Sequence, residues 1–169
     1  TRSINMSLNV IGADERHIEG EGEHLGRADT DQQCADQSWR VEDGDAADLT
    51  TRSDADALRS WLSSKHADAD HLVNAAGVFA PKAFLDHTAE DYDRYLGISR
   101  ALFFVTQTVA RNMVARKMGG SIVSISSIAG SSALGRGNFV YSVTKAGIIQ
   151  LTRELAVEKD RARVTLESI

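Results

Sequence analysis

Residues 120–145 read GSIVSISSIAGSSALGRGNFVYSVTK. Ile122, Val123 and Ile125 are interleaved with serines over residues 121–126, which predicts a short strand. Residues 128–138 are rich in Gly, Ala and Ser and read as a loop. Over residues 140–158, Val143, Ala146, Ile148, Ile149, Leu151, Leu155 and Ala156 supply a broad apolar face, which predicts a helix. Tyr141 and Lys145, four residues apart, then share one side of that helix. Ser127 lies at the end of the preceding strand.

The strand-then-helix order repeats towards the amino terminus. Leu72-Val73 is a short apolar run that ends at Asn74-Ala75-Ala76-Gly77, a buried strand opening into a turn. Residues 89–117 set Tyr92, Tyr95, Leu96, Leu102, Val105, Val109 and Met113 at steps of three, four and seven. A helix of that length is expected to break near Gly97, and Gly119-Gly120 should stop it. Residues 53–65 place Leu58, Trp61 and Leu62 at helical spacing behind an N-cap at Thr51 or Ser53. Pro81, the single proline, keeps the segment before it out of a helix, and a further strand is expected to begin over residues 163–166. This alternation predicts an α/β domain with parallel strands, whose ligands gather beyond the strands' carboxyl ends.

Bulk properties narrow the function classes. A chain of 169 residues suits one domain, and 42% hydrophobic with 25% charged residues suits a soluble globular protein. The formal charge of -5 gives no general electrostatic reason to expect nucleic acid as a partner. No run approaches the roughly 18 apolar residues that read as a membrane span, so no membrane partner is expected and a cytoplasmic location is the default. Cys34 is the only cysteine, which excludes an intrachain disulfide and a cysteine-only metal site, and no metal is expected. Charge is uneven along the chain: the first 50 residues carry 12 acidic side chains against 4 arginines. Within them, residues 12–38 combine four glycines with many acids and few large apolar side chains, and read as an irregular acidic segment.

The Ser, Tyr and Lys suit proton transfer at an oxygen. A lysine ammonium close to a phenol favours the phenolate, which makes tyrosine a usable acid or base. A serine hydroxyl can donate to an alcohol or carbonyl oxygen. By spacing alone, the ordinary meaning of Tyr141 and Lys145 is an amphipathic helix with a snorkelling lysine. Context changes that reading.

Asn74-Ala75-Ala76-Gly77, Gly120-Ser121-Ile122-Val123-Ser124-Ile125-Ser126-Ser127 and Tyr141-Ser142-Val143-Thr144-Lys145 jointly resemble the short-chain dehydrogenase/reductase family, in order and separation as well as content. The resemblance runs from about Trp39 to Lys159. It implies a Rossmann-like, doubly wound parallel sheet that binds NAD or NADP at the strand ends, within a single partial domain over residues 1–169 that is incomplete at both ends. Ser127 resembles the family's catalytic serine, with Ser126 as the neighbouring alternative. Tyr141 resembles its acid/base, and Lys145 the residue that tunes the tyrosine and contacts the nicotinamide ribose. Asn74 and Gly77 resemble the motif beside the cofactor, Asn74 bracing neighbouring backbone groups and Gly77 permitting close approach or a special dihedral. Asp45 resembles the aspartate that accepts from the adenine amino group, against the plainer reading of a solvated acid or helix cap. The implied substrate is a small alcohol or carbonyl compound. The helices over 89–117 and 140–158 resemble those of a four-helix dimer contact, so a homodimer or homotetramer is expected of the complete parent.

The chain also departs from the family. A strand followed by Thr-Gly-x-x-x-Gly-x-Gly is absent, and Gly20, Gly22 and Gly26 stand among Glu19, Glu21 and Glu23, which would repel a pyrophosphate. One reading starts the chain after the first strand and helix. Residues 9–14 are then the second strand, and Asp14 pairs with the adenine-ribose hydroxyls and favours NAD over NADP. The other makes residues 8–12 a degenerate first strand, with cofactor binding lost. Ser99 stands where many relatives carry an asparagine, and the family's Pro-Gly turn and substrate-covering region do not occur before Ile169. Two expectations result: an NAD(P)-dependent alcohol dehydrogenase or carbonyl reductase, or a noncatalytic nucleotide-binding or scaffold protein. Phe79, Phe84 and His87 are candidates to line part of a site near the strand end, against the plainer reading of Phe79 and Phe84 as packing residues and His87 as solvated.

Overall fold

The computed structural model describes residues 3–6, 47–117, 119–135, 137–158 and 164–168. Four strands, β1 (Ser3–Met6), β2 (His71–Asn74), β3 (Gly120–Ser124) and β4 (Val164–Ser168), form one sheet in that order, and every neighbouring pair is parallel. Among the described residues three helices accompany them, α1 (Arg52–Lys65), α2 (Ala89–Arg116) and α3 (Phe139–Glu158), with short 3-10 turns at Phe84–Asp86 and Ile128–Gly130. The register sets Ile4, Leu72, Ile122 and Leu166 in one row across the sheet.

Burial alternates along β2 and β3. Leu72 and Asn74, and Ile122 and Ser124, are buried, and the residues between them are half-buried, the period of two that a core on one face imposes. Leu72 and Ile122 join Leu62 of α1, Val105 and Met113 of α2 and Ile148 of α3 in a single cluster. Each large side chain buried in this way contributes about 1.5–3 kcal/mol. Helix α2 packs against both α1 and α3, so the three helices form one layer over the buried face.

The order β1-β2-β3-β4 follows the chain without a reversal among the described strands, so successive crossovers step one way along the sheet. Strand β1 is formed by Ser3–Met6, ahead of residues 8–12 and 9–14, which lie outside the described residues, as do Asp14, Cys34, Asp45 and the segment 12–38. Four residues with only Ile4 and Met6 apolar are too short a pattern to announce a strand.

The helix ends follow local chemistry. Thr51, not Ser53, caps α1, its side chain accepting from the Asp54 N–H. Thr88 and Asp91 form a reciprocal capping box at the start of α2. The break expected near Gly97 does not occur: α2 runs unbroken from Ala89 to Arg116. Glycine is there for space, since a Cβ at Gly97 would sit 2.4 Å from the Thr50 carbonyl oxygen, where the turn before α1 rests on the helix. The helix stops at Lys117, in the left-handed region at φ 57°, two residues before Gly119, and Gly120 already begins β3.

Candidate active site

Strands β2 and β3 end side by side, and the Ile125 N–H donates to the Asn74 carbonyl at 2.8 Å, carrying the pairing one residue further. Beyond that point the two serines diverge in role. Ser126 is buried, and its hydroxyl donates to the Lys145 carbonyl at 3.1 Å, fastening the strand end to α3. The Ser127 oxygen accepts from the Ala129 N–H at 3.2 Å and so caps the 3-10 turn Ile128–Gly130. A hydroxyl that accepts in this way keeps its own proton for donation. The cap reading and the donor reading of Ser127 are therefore compatible, while Ser126 is committed to the helix.

Helix α3 presents Tyr141 in its first turn and Lys145 one turn later. Lys145 is 5% exposed, and its ammonium donates to the Ile125 carbonyl at 2.8 Å. The same Nζ lies 5.6 Å from the centre of the Tyr141 ring. Burial pushes the Lys145 ammonium below its ordinary value. Of its three donors, one is used among the described residues. The turn that Ser127 opens lies directly on this helix, because a Cβ at Gly130 would meet the Lys145 carbonyl carbon at 2.7 Å. Ser127, Tyr141 and Lys145 thus gather at the carboxyl edge of β3. Among the described residues the Tyr141 hydroxyl makes no hydrogen bond, to Ser127 or to any other group, and stays available to a ligand.

Asn74 and Gly77 lie at the end of β2. The Asn74 amide donates to Thr106 Oγ1 at 2.8 Å and to Ser124 Oγ at 3.3 Å, so it braces side chains of α2 and β3 rather than the backbone groups expected. Its Oδ1 is buried without a partner among the described residues. Gly77 does not take a positive φ, and lines a cleft together with Tyr95, Ser99, Thr144, Lys145 and Ile148. Ser99 therefore stands beside Lys145, with its hydroxyl turned to the Tyr95 carbonyl at 3.5 Å. Phe79 and Phe84 are not core packing residues, being 39% and 66% exposed. Phe79 meets the Tyr141 ring edge-on at 5.0 Å, and Phe84 contacts Phe139. His87 is not solvated through its ring: both nitrogens are buried without partners among the described residues, and the ring faces Phe139.

An ion pair steadies the neighbouring loop. Lys82 Nζ reaches Asp91 Oδ2 at 2.5 Å, and the same oxygen accepts from the Thr88 N–H at 2.9 Å. The Lys82 N–H also donates to the Gly137 carbonyl at 3.1 Å, joining this loop to the one that leads into α3. These contacts, led by Lys82, hold the Asp91 carboxyl down at about 2, against an ordinary 3.8. A depressed carboxylate stabilises the fold above the unfolded value and loses that contribution as pH falls. Acid titration of the fold by circular dichroism should show stability falling between about pH 4 and pH 2. Lys82→Met should flatten that fall, and an unchanged acid limb would contradict the assignment.

The sequence profile of the short chain dehydrogenase family matches residues 28–169. The chain belongs to the short-chain dehydrogenase family. Its α/β architecture, with a Rossmann-like parallel sheet, is the doubly wound fold of that family's solved members. The chain is 35% identical over 124 residues to oxidoreductase UcpA of Escherichia coli K12, covering 73% of this chain and 47% of that protein. It is 39% identical over 118 residues to carbonyl reductase [NADPH] 2 of Sus scrofa, covering 66% of this chain and 48% of the other. Among solved structures, a short chain dehydrogenase of Leptospira borgpetersenii with bound NAD+ superposes with a TM-score of 0.64 at 27% identity, over 72% of this chain and 50% of that one. The chain spans about half the length of the relatives it matches.

Members of this family use NAD or NADP, whose nicotinamide-ribose half the resemblance assigns to residues at these strand ends. Lys145 is buried with two of its three donors unused among the described residues, and together with Gly77 it lines a small cavity. Lys145, Tyr141 and the backbone near Gly77 would hold that half. Asp14 and Asp45, expected at the adenine half, lie outside the described residues.

Three contributors escaped the sequence reading. Tyr95 was counted only as an apolar helix position, yet its hydroxyl accepts from the Ala80 N–H at 2.7 Å. Burial pushes that phenol above its ordinary value, so it stays protonated. The Ile125 carbonyl is backbone and leaves no sequence signal. Gly130 lay in a loop with many small residues, and only the approach of α3 distinguishes it.

Proposed function

We propose that this protein transfers hydride between NAD(P) and an alcohol or carbonyl compound, with Tyr141 as the acid/base, Ser127 as the oxygen-binding hydroxyl and Lys145 as the cation that tunes the tyrosine. The observation that carries the reading is the buried Lys145 ammonium, bonded to the Ile125 carbonyl beside the Tyr141 ring. The bound nicotinamide supplies or accepts the hydride. In reduction, Ser127 donates a hydrogen bond to the carbonyl oxygen and Tyr141 passes its proton to that oxygen as negative charge builds there. Lys145 favours the tyrosinate left behind, and its remaining N–H groups reach the ribose hydroxyls. In oxidation Tyr141 takes the alcohol proton. Asn74 fixes β2 against β3 and α2, which sets the two strand ends at a constant separation.

Residues 1–169 act in this reading as one nucleotide-binding domain of a cytoplasmic protein, paired through α2 and α3 in a homodimer or homotetramer. Phe103, Phe104 and Val143 are exposed on those helices and support the pairing. Asp14 gives NAD the preference, by repelling the extra phosphate of NADP, and Asp45 accepts from the adenine amino group. Titration with NADH and NADPH, followed by oxidation of the reduced cofactor in the presence of ketones, tests the proposal. Saturable binding, tighter for NADH, with ketone-dependent turnover is the expected result. Binding without turnover would favour a noncatalytic nucleotide-binding protein. Asp14→Asn should narrow the preference for NADH.

A further inference from the structure

Two stretches border Ser127 and Tyr141, one after β2 and one between β3 and Arg136. Residues 75–81 and 125–135 contain no Asp, Glu, Lys, Arg or His. Lys82, which follows the first loop, is held by Asp91, and Lys145 is held by the Ile125 carbonyl. The large exposed side chains of these stretches are hydrocarbon, with Phe79 39%, Ile128 67% and Leu134 44% exposed, beside the small exposed Ser131 and Ser132. Ser131, which could have offered a hydroxyl, is turned to the Ile128 carbonyl at 3.2 Å.

Phe79 is also held in position. Its ring lies edge-on to the Tyr141 ring, with the planes at 78°. The next residue, Ala80, is tied through its N–H to the buried hydroxyl of Tyr95 on α2. One side of Phe79 is therefore against the phenol and another is open to the space beside it. A carbonyl carbon held by Tyr141 and Ser127 would have its substituents flanked by Phe79 on one loop and Ile128 on the other.

Resting on the catalytic reading above, we infer that Phe79 is a specificity-determining residue, and that the substrate is an uncharged ketone or secondary alcohol with a bulky apolar substituent packed on the Phe79 ring, not a polyol or a carboxylated compound. The exposed Phe79, Ile128 and Leu134 side chains carry no hydrogen-bonding group, so sugar hydroxyls or a carboxylate set against them go unpaired on desolvation, which is a heavy penalty. A matching apolar group in such a wall is worth one to two orders of magnitude in discrimination.

The test compares acetophenone, acetone and xylulose as oxidants of the reduced cofactor, in the protein as its gene encodes it. We expect kcat/KM for acetophenone to exceed that for xylulose by about ten-fold or more. Phe79→Ala should lower the acetophenone-to-acetone ratio by about ten-fold, chiefly through the KM for acetophenone, and Phe79→Leu should restore most of it. A preference for xylulose, or a Phe79→Ala ratio equal to that of the unaltered protein, overturns the inference. If Tyr141→Phe still silences the xylulose reaction, only the substrate class is wrong. If no compound is turned over, or turnover of all three survives Tyr141→Phe, the catalytic reading falls and this inference with it.

Discussion

Tyr141→Phe will lower kcat/KM for ketone reduction by about a thousand-fold while leaving cofactor affinity and thermal stability nearly unchanged. General acid catalysis by a positioned side chain contributes about two to four orders of magnitude. The variant removes one oxygen atom and keeps the ring that Phe79 and the core contact. That oxygen has no hydrogen-bond partner among the described residues, so deleting it leaves no protein group there unsatisfied. A structural tyrosine would give the opposite pattern, with full turnover retained. Titration of NADH by fluorescence, beside steady-state rates, separates the two: equal binding with lost turnover supports the acid/base role, and equal turnover overturns it.

Gly130→Val should be nearly as damaging by a different route. Its Cβ would approach the Lys145 carbonyl carbon to 2.7 Å and the Ala146 nitrogen and Lys145 oxygen to 2.8 Å, all backbone atoms that cannot swing aside. The 3-10 turn must then lift off α3, straining the Ser126 to Lys145 hydrogen bond and moving Ser127 with it. Overpacking of this kind costs about 1–3 kcal/mol. A small displacement at a reacting centre can also cost about a hundred-fold in rate. Denaturant melts should show the lost stability, and kcat should fall more than cofactor affinity. A variant with unaltered melting and kcat would mean that the contact of turn and helix does not set the site. The adjacent exposed loop position Gly135, where a Cβ meets nothing within 4 Å, is not crowded in this way.

Much of the fold was legible because its helices announce themselves by period and cap. The apolar steps from Tyr92 to Met113 led to α2, and Thr51 stood ready as an N-cap of α1. What failed was local and had a tertiary cause. Gly97 looked like a break, but the turn at Thr50 needs that space, and packing outweighed propensity. Lys117, and not a glycine, takes the left-handed stop. Strand β1 has too few residues to carry a pattern and is defined by its pairing with β2.

At the site, the four-residue spacing of Tyr141 and Lys145 put them on one side of a helix, but the roles assigned to them and to Ser127 come from the family resemblance and not from the spacing. Which serine is free was open in the sequence. The Ser126 bond to the Lys145 carbonyl decides it, since the partner is a backbone atom nineteen residues away. Tyr95 was invisible as a site residue for a similar reason, since it acts through a contact between a helix and a loop distant in sequence, and Phe79, already a candidate for the site's lining, has its contact with Tyr141 only through the fold. Asp14 and Asp45 rest on the family resemblance and lie outside the described residues.

The central claim is that one ligand oxygen is held jointly by Ser127 and Tyr141 while Lys145 stands behind the phenol. A crystal structure of the protein with NADH and an unreactive alcohol tests it most directly. The account predicts the alcohol oxygen within about 3 Å of both Ser127 Oγ and Tyr141 Oη, with Lys145 Nζ at the ribose. An alcohol bound elsewhere, or a Tyr141 hydroxyl turned away from both Ser127 and the nicotinamide, would contradict it.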